Sequence, residues 1–298
     1  MSEQLAAHYG LALRSLERLD AGADPLAEVF RAVATDGSVY FVKATRRTIP
    51  EYVLRVPHLL AQRGVPGIVA PLATRDGSLW AEAQGCQLIL YPFLESATAY
   101  ARPLTDAQWE MLGRTLAQIH SADVPFDLPC ETYPTDNQMF VEVLLSKPLP
   151  APLEPFRTPM TILLTRAQEL GKALRTQNPM PFVLTHGDLH AWNVVVDDAG
   201  QLFIVDWDEA LLAPRERDLM FIGGGVGNAP WTMEQPAFWR GYGVVEPDPL
   251  ALTYYRCDRI LADIVAIEDA EEMASQFAPG NVVEIADTTY RRFFGRAR

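Results

Sequence analysis

The stretch from residue 185 to 208, T-H-G-D-L-H-A-W-N-V-V-V-D-D-A-G-Q-L-F-I-V-D-W-D, constrains the fold more than any other part of the chain. Val194-Val195-Val196 and Leu202-Phe203-Ile204-Val205 are apolar and rich in β-branched residues, the composition of packed strands. Between them, Asp197-Asp198-Ala199-Gly200-Gln201 supplies Asp and Gly, which favour tight turns. The segment therefore predicts a β-hairpin. A four-residue loop over residues 198–201 puts Asn193 opposite Asp206, and opposed Cβ atoms lie about 4.5–5.5 Å apart. An amide oxygen beside a carboxylate is a hard-oxygen half-site suited to Mg²⁺, which keeps waters and takes its remaining ligands from substrate phosphates. Asp188 lies five residues before Asn193, on the irregular segment entering the first strand. It brings a second carboxylate, able to accept the proton of an attacking hydroxyl.

These are the parts that phosphoryl transfer needs. The kinase catalytic loop reads H-R-D-x-x-x-x-N and is followed by an Asp-containing metal motif; His186-Gly187-Asp188 with Asn193 and Asp206 has that spacing. H-G-D-L-H-x-x-N followed by I-V-D-W-D resembles the aminoglycoside phosphotransferase family. The continuation E-A-L-L-A-P-R-E-R-D-L-M-F-I-G-G at 209–224 resembles, more narrowly, the spectinomycin phosphotransferases. The resemblance covers most of the chain, the N-terminal third more by element order than by letters. It implies an α+β, protein-kinase-like two-lobed fold. Residues 1–92 would be a small antiparallel-sheet N-lobe that binds nucleotide, and residues 93–298 a larger, mainly helical C-lobe with the catalytic loop, metal site and acceptor pocket. It also implies ATP and Mg²⁺ as cofactors, Asp188 as the catalytic base, Asn193 and Asp206 as metal ligands, and Asp218 as a structural acid binding backbone amides of the catalytic loop. The adenine edge would meet the backbone of a connector that maps to Leu90, Tyr91 and Phe93.

The nucleotide side can be followed along the chain. A helix over residues 5–15 leads into strands at 15–19, 28–33 and 39–44, the last two joined by Asp36-Gly37, a strong hairpin signal. The loop at 21–25, where a kinase fold covers the phosphates, holds a single glycine rather than G-x-G-x-x-G. In V-Y-F-V-K, alternation places Val39, Phe41 and Lys43 on one face, a cation at the end of an apolar surface that suits an adenine ring. Lys43 then corresponds to the phosphate-pairing lysine of the kinase fold. Glu51 is the only carboxylate between Lys43 and Asp76 and so the default partner for that lysine. It opens a helix that ends at Gly64 and that Pro57 should kink. Residues 68–72, 78–83 and 86–91 read as further strands, stopped by Pro92.

From Asp106 the pattern becomes helical, with Trp109, Leu112, Leu116 and Ile119 at helical spacing and an end near His120, which reads as a packed residue rather than a catalyst. Residues 125–159 hold eight prolines and predict an irregular stretch with a helix over 137–146; a second helix covers 161–176. Helices also follow at 214–221, 235–243, 247–277 and 282–294, the 250s one placing Tyr254, Asp258 and Leu261 on one side. An acid on such a face offers a contact for an aminocyclitol's amines. Gly223-Gly224-Gly225-Val226-Gly227 fits neither nucleotide-loop fingerprint, since no G-K-[ST] closes it and it follows no strand.

The net charge of −13 argues against nucleic acid as a partner and for a small cationic or neutral hydroxyl-bearing substrate. No apolar run of membrane-spanning length and no signal-peptide pattern is present. The expectation is a cytoplasmic enzyme, without a membrane or an obligate protein partner. Cys86, Cys130 and Cys257 are too scattered for a metal site and read as reduced. The leading reading is an ATP-dependent O-phosphotransferase acting on spectinomycin or a related aminocyclitol, conferring antibiotic resistance. Three others compete with it. One is a metabolite kinase of the same fold acting on an amino alcohol, sugar or homoserine-like hydroxyl. Another is a zinc hydrolase using His186, Asp188 and His190. The last is an inactive nucleotide-binding scaffold.

Overall fold

The computed structural model describes residues 1–20, 26–149, 151, 153–176, 180–222 and 235–266. The loop at 21–25, the glycine run at 223–227, the end of the 247–277 helix and the helix expected at 282–294 lie outside them. The chain divides into two compact units. One comprises Met1–Arg102, Val124–Asp127 and Trp192–Ala210, the other Pro103–Asp123, Leu128–Ala191 and Leu211–Arg298.

In the first unit, β1 (Leu13–Leu19), β2 (Ala27–Ala34), β3 (Val39–Thr45), β4 (Ala81–Ala83) and β5 (Cys86–Pro92) form an antiparallel sheet in the order β1-β2-β3-β5-β4. The β2–β3 hairpin turns at the expected dipeptide. Asp36 accepts the Ser38 N–H at 2.9 Å, and Gly37 takes a φ of +91° that glycine adopts without strain. Strand alternation then sorts the side chains between two faces. Val42 and Leu90 bury with Ala32 and with Leu5 of α1 (Ser2–Tyr9), while Ile89 buries with Ile49 and with Val53 and Leu54 of α2 (Glu51–Gln62). Helix α1 is shorter than expected because Gly10, in the left-handed region at φ +74°, caps it. Helix α2 runs on through Pro57, whose ring is buried in a face with Val53, Leu54, Val56 and Leu60. Burial of that face outweighs the missing N–H.

The strands expected at 68–72 and 78–83 shrink to a single bridge between Ile68 and Ile204 and to the short β4. One strand had no sequence signal. β6 (Ser96–Thr98) pairs with β8 (Val194–Asp197), which in turn pairs with β9 (Leu202–Ile204).

The second unit is mainly helical. It holds α3 (Asp106–His120), α4 (Asp136–Leu145), α5 (Arg157–Thr176), α6 (Glu216–Leu219), α7 (Pro236–Tyr242) and α8 (Pro249–Ala266), with a ribbon of β7 (Val183–Thr185) and β10 (Leu211–Ala213). Thr105 and Gln108 start α3 through a capping box, each side chain bonding the other's backbone N–H. The four apolar residues at helical spacing, Trp109, Leu112, Leu116 and Ile119, are all buried. Asp258 does not present an acid to a ligand. It is buried and accepts from Thr135 Oγ1 at 2.5 Å and from Gln138 Nε2 at 2.8 Å, so it ties α8 to the start of α4. All three cysteines are free, and among the described residues no helix is long and apolar enough to cross a membrane.

Helices α3 and α7 approach so closely that glycine is required on both. A Cβ on Gly113 would collide with the Phe238 carbonyl oxygen, and one on Gly241 with the Glu110 carbonyl oxygen. Because the obstacles are backbone, neither helix can relieve the clash by a rotamer change. Gly113→Ala and Gly241→Ala should each cost about 1–3 kcal/mol or more, the usual cost of overpacking, read as a lower urea midpoint at unchanged slope. Exposed Gly77, with nothing within 4 Å of a built Cβ, meets no such obstacle. The cost of Gly77→Ala should therefore reflect only its positive φ.

Candidate active site

A cavity of about 750 Å³ opens in the first unit, lined among others by Phe41, Lys43, Tyr91, Phe93, Asn193 and Asp206. β3 contributes Phe41 and Lys43 and β5 contributes Tyr91, all from the sheet face that also carries Ile89. Four of the six residues expected around the nucleotide therefore share one cavity with both expected metal ligands.

Three expectations need correction. First, the hairpin closes over three residues, not four. Asp197 N–H donates to the Gln201 carbonyl at 3.0 Å, Gly200 sits at φ +82°, and Val196 faces Leu202. The glycine's access to positive φ allows the shorter turn. Asn193 is then paired with Val205, whose N–H it accepts at 3.0 Å, and Asp206 lies one residue further on. A strict strand would send Asp206 to the opposite face, but its φ of +65° breaks the strand and the residue still borders the cavity with Asn193.

Second, Glu51 is not the partner of Lys43. Its carboxylate is largely exposed and lies 3.9 Å from Arg55, one helical turn on, whereas Lys43 Nζ lies 3.9 Å from Asp208 Oδ2. Eight residues separate Lys43 from Glu51, too few for the strand to end and the helix to turn its first residue back under the sheet. Third, Leu90 faces away from the cavity. It is packed with Leu5, Ala32 and Val42, and its carbonyl accepts the Leu72 N–H at 2.7 Å. The Phe93 N–H is likewise engaged, donating to the Val39 carbonyl at 3.2 Å. Two of the backbone groups expected to meet the adenine edge are thus engaged within the protein.

Two cavity residues were missed. Arg47 donates from Nη2 to Asp208 Oδ2, so Lys43 and Arg47 share one carboxylate. Asp208 stands in the quoted I-V-D-W-D motif, but no spacing rule links it to two cations more than 150 residues upstream. Burial first, then the charges of Asp208 and Asp206, push the Tyr91 hydroxyl up. An amide oxygen and a carboxylate beside a second acid form a donor set that fits a hard divalent cation completed by water and phosphate.

The second unit holds the H-G-D segment. Asp218, fully buried on α6, accepts the His186 N–H at 2.9 Å and the Gly187 N–H at 2.8 Å. His120 at the end of α3 stands 3.0 Å from Asp218 through Nε2 and 2.7 Å from the Tyr242 hydroxyl through Nδ1, the packed role expected of it. Asp188 is bonded instead to Arg259 of α8 through Oδ1, and its Oδ2 lies 3.3 Å from His190 Nε2. Burial pushes the Asp188 carboxyl up, but the His190 hydrogen bond and the Arg259 charge outweigh it and hold the group well below the usual carboxylate range. His186 is buried, with Nδ1 facing the Asp188 amide at 3.3 Å. Among the described residues no group of three His, Cys, Asp or Glu is placed to hold a metal ion, so the zinc-hydrolase alternative lacks its ligand set.

A cavity with a strand lysine, an amide and acids, together with an H-x-D loop clamped by a buried aspartate, defines a phosphotransferase of the kinase-like class. Residues 15–255 match the model of the APH phosphotransferase enzyme family, and the chain belongs to that family. It is 31% identical to spectinomycin phosphotransferase APH(9)-Ia, solved with ADP and spectinomycin, over 97% of both chains with a TM-score of 0.83. Amicoumacin kinase hAmiN, solved in complex with AMP-PNP, Ca²⁺ and Ami, shares the fold at 16% identity and a TM-score of 0.66 over 98% of this chain and 92% of that one. Protein StrN of Streptomyces griseus is 28% identical over 204 residues, and the match spans 62% of this chain and 62% of that protein. The fold, an antiparallel-sheet N-terminal region with a helical C-terminal region, is that of the two solved structures, and the chain is a phosphotransferase with a hydroxyl acceptor.

Asp218 carries a stability prediction. Burial alone would raise its carboxyl, but the His120 hydrogen bond and the His186 and Gly187 amides hold it below the ordinary value. A depressed folded value means the stabilisation is complete above the unfolded value of about 4 and is lost as pH falls through the lower folded value. Asp218→Ala should cost about 3–5 kcal/mol at pH 7, the range for breaking a buried charged network. The penalty should shrink towards pH 2 in parallel denaturation series.

Proposed function

We propose that this enzyme transfers the γ-phosphoryl group of ATP to a hydroxyl of spectinomycin or a closely related aminocyclitol. The observation that carries the reading is the meeting of Phe41, Lys43, Tyr91, Asn193 and Asp206 on one cavity. The 31% identity over 97% of an enzyme solved with ADP and spectinomycin supports this donor and acceptor. Phe41 and Tyr91 offer apolar faces to a purine, and Lys43 exchanges its contact with Asp208 for nucleotide phosphate. Asn193 and Asp206 would hold Mg²⁺, whose charge offsets that developing on the phosphates. Asp188 accepts the acceptor hydroxyl's proton as its oxygen bonds to the γ-phosphorus, and the bond to the β-bridging oxygen breaks to release ADP. Residues 1–92 supply most of the nucleotide contacts, and residues 93–298 the catalytic loop, the metal ligands and the acceptor pocket. The charge of −13 fits a cationic substrate and a cytoplasmic enzyme that protects its host from the antibiotic.

Choline kinase LicA from Streptococcus pneumoniae has this fold at 16% identity and a TM-score of 0.59, a likeness of fold alone. An ADP-release panel of spectinomycin, other aminoglycosides, choline and homoserine separates the acceptors. We expect turnover with spectinomycin; turnover confined to choline or homoserine would establish the metabolite-kinase alternative. Asp188→Ala should reduce transfer by about 10²–10⁴-fold, the range for a general base, while ATP affinity measured by calorimetry persists. Asp206→Asn should weaken nucleotide binding in the presence of Mg²⁺ more than in EDTA. Undiminished turnover by the Asp188 variant would remove that residue from its role.

A further inference from the structure

Asp188 is held from α8 by a side chain that no part of the H-G-D-L-H motif requires. Arg259, 71 residues downstream, donates through Nη1 to Asp188 Oδ1 and through Nε to Asp263 Oδ1 at 2.9 Å. The ring of Phe221 lies 5.7 Å from its guanidinium carbon, and Phe221 in turn meets His190 edge-on with centroids 6.1 Å apart. His190 Nε2 faces the other Asp188 oxygen at 3.3 Å. The two contacts fall on different oxygens of the carboxylate and so set the plane of the group. Among the described residues, the charged and titratable groups that act on Asp188 include His186 and His190 on its own segment and Arg259 and Asp263 on α8.

We propose that Arg259 is a positioning residue for phosphoryl transfer: braced by Asp263 and Phe221, its guanidinium fixes the plane in which the Asp188 carboxylate meets the acceptor hydroxyl. The inference rests on the reading of Asp188 as the base. A planar fork that bonds two carboxylates at once is a property of arginine that lysine lacks. A base held low in proton affinity is a weaker base, so the gain from Arg259 lies in orientation, where a misplacement of about 1 Å can cost about 100-fold in rate. Asp263 keeps the guanidinium in place from the side away from Asp188, and the Phe221 face limits its swing.

The test compares Arg259→Gln, Arg259→Lys, Arg259→Ala, Asp263→Asn and Asp188→Asn in the full-length chain, with MgATP and spectinomycin. Arg259→Gln should lower kcat by about 100-fold with MgATP affinity within about twofold of the parent, and its loss of a cation beside Asp188 should move the acid limb of kcat/KM to higher pH. Arg259→Lys should recover part of kcat, and added methylguanidinium should recover part of the activity of Arg259→Ala, which a general packing defect would not allow. Asp263→Asn, which leaves the Arg259 contact to Asp188 in place, should lose kcat by a smaller factor without the upward pH shift; it serves if the Arg259 variants fold poorly. An acceptor-independent readout is the ¹³C titration of the Asp188 carboxyl, assigned by its disappearance in Asp188→Asn and expected at higher pH in Arg259→Gln. A kcat within about threefold of the parent with a superimposable pH profile and an unmoved carboxyl titration would overturn the inference. If Asp188→Asn itself turns over normally, the reading of the base fails instead.

Discussion

A carboxylate taken wholly out of water must be repaid by hydrogen bonds or it cannot stay ionised, and Asp218 meets that condition by clamping the catalytic segment. Its two oxygens take the amides of His186 and Gly187, and His120 closes the remaining side. The residues leading into Asp188 are therefore tied to α6 and, through His120 and Tyr242, to the glycine-mediated contact of α3 with α7. Orientation of the proposed base depends on packing as much as on the motif that contains it. A loop rich in Gly and His would otherwise sample many conformations.

The first unit solves a different problem, that of holding cations and anions side by side in one cavity. Lys43 and Arg47 meet at Asp208, while Asp206 and Asn193 offer oxygens to a cation. In the proposed reaction Lys43 exchanges Asp208 for phosphate, and Asn193 and Asp206 would take the metal. The apolar walls from Phe41 and Tyr91 come from the same sheet face, so one alternation rule supplies both a surface for a flat ring and the lysine at its end.

The contrast between what could and could not be read in advance follows from the range of the interactions. Asp36-Gly37, the capping pair Thr105 and Gln108, and the apolar spacing of α3 act within a few residues, and their elements formed as their local chemistry directs. β6 has three residues and no periodicity, and it exists only because β8 offers it an edge. Asp258 lay on a legible helical face, but whether that face met solvent or α4 depended on Thr135 and Gln138, more than 100 residues away. The hairpin register slipped by one residue because Gly200 permits a shorter loop, and Asp206 reached the cavity through a backbone conformation that no alternation rule anticipates.

Sequence alone determined the chemistry. The H-G-D and I-V-D-W-D segments, Lys43 at a strand end and the −13 charge name the residue types and the order in which a phosphotransferase presents them. It did so because spacing along a strand or turn is set by covalent geometry. Tertiary structure decided the partners: Asp208 rather than Glu51 for Lys43, Arg259 and His190 for Asp188, and a core position rather than a cavity wall for Leu90. Those choices turn on which surfaces are buried against each other, and burial is a property of the packed chain that no local stretch contains.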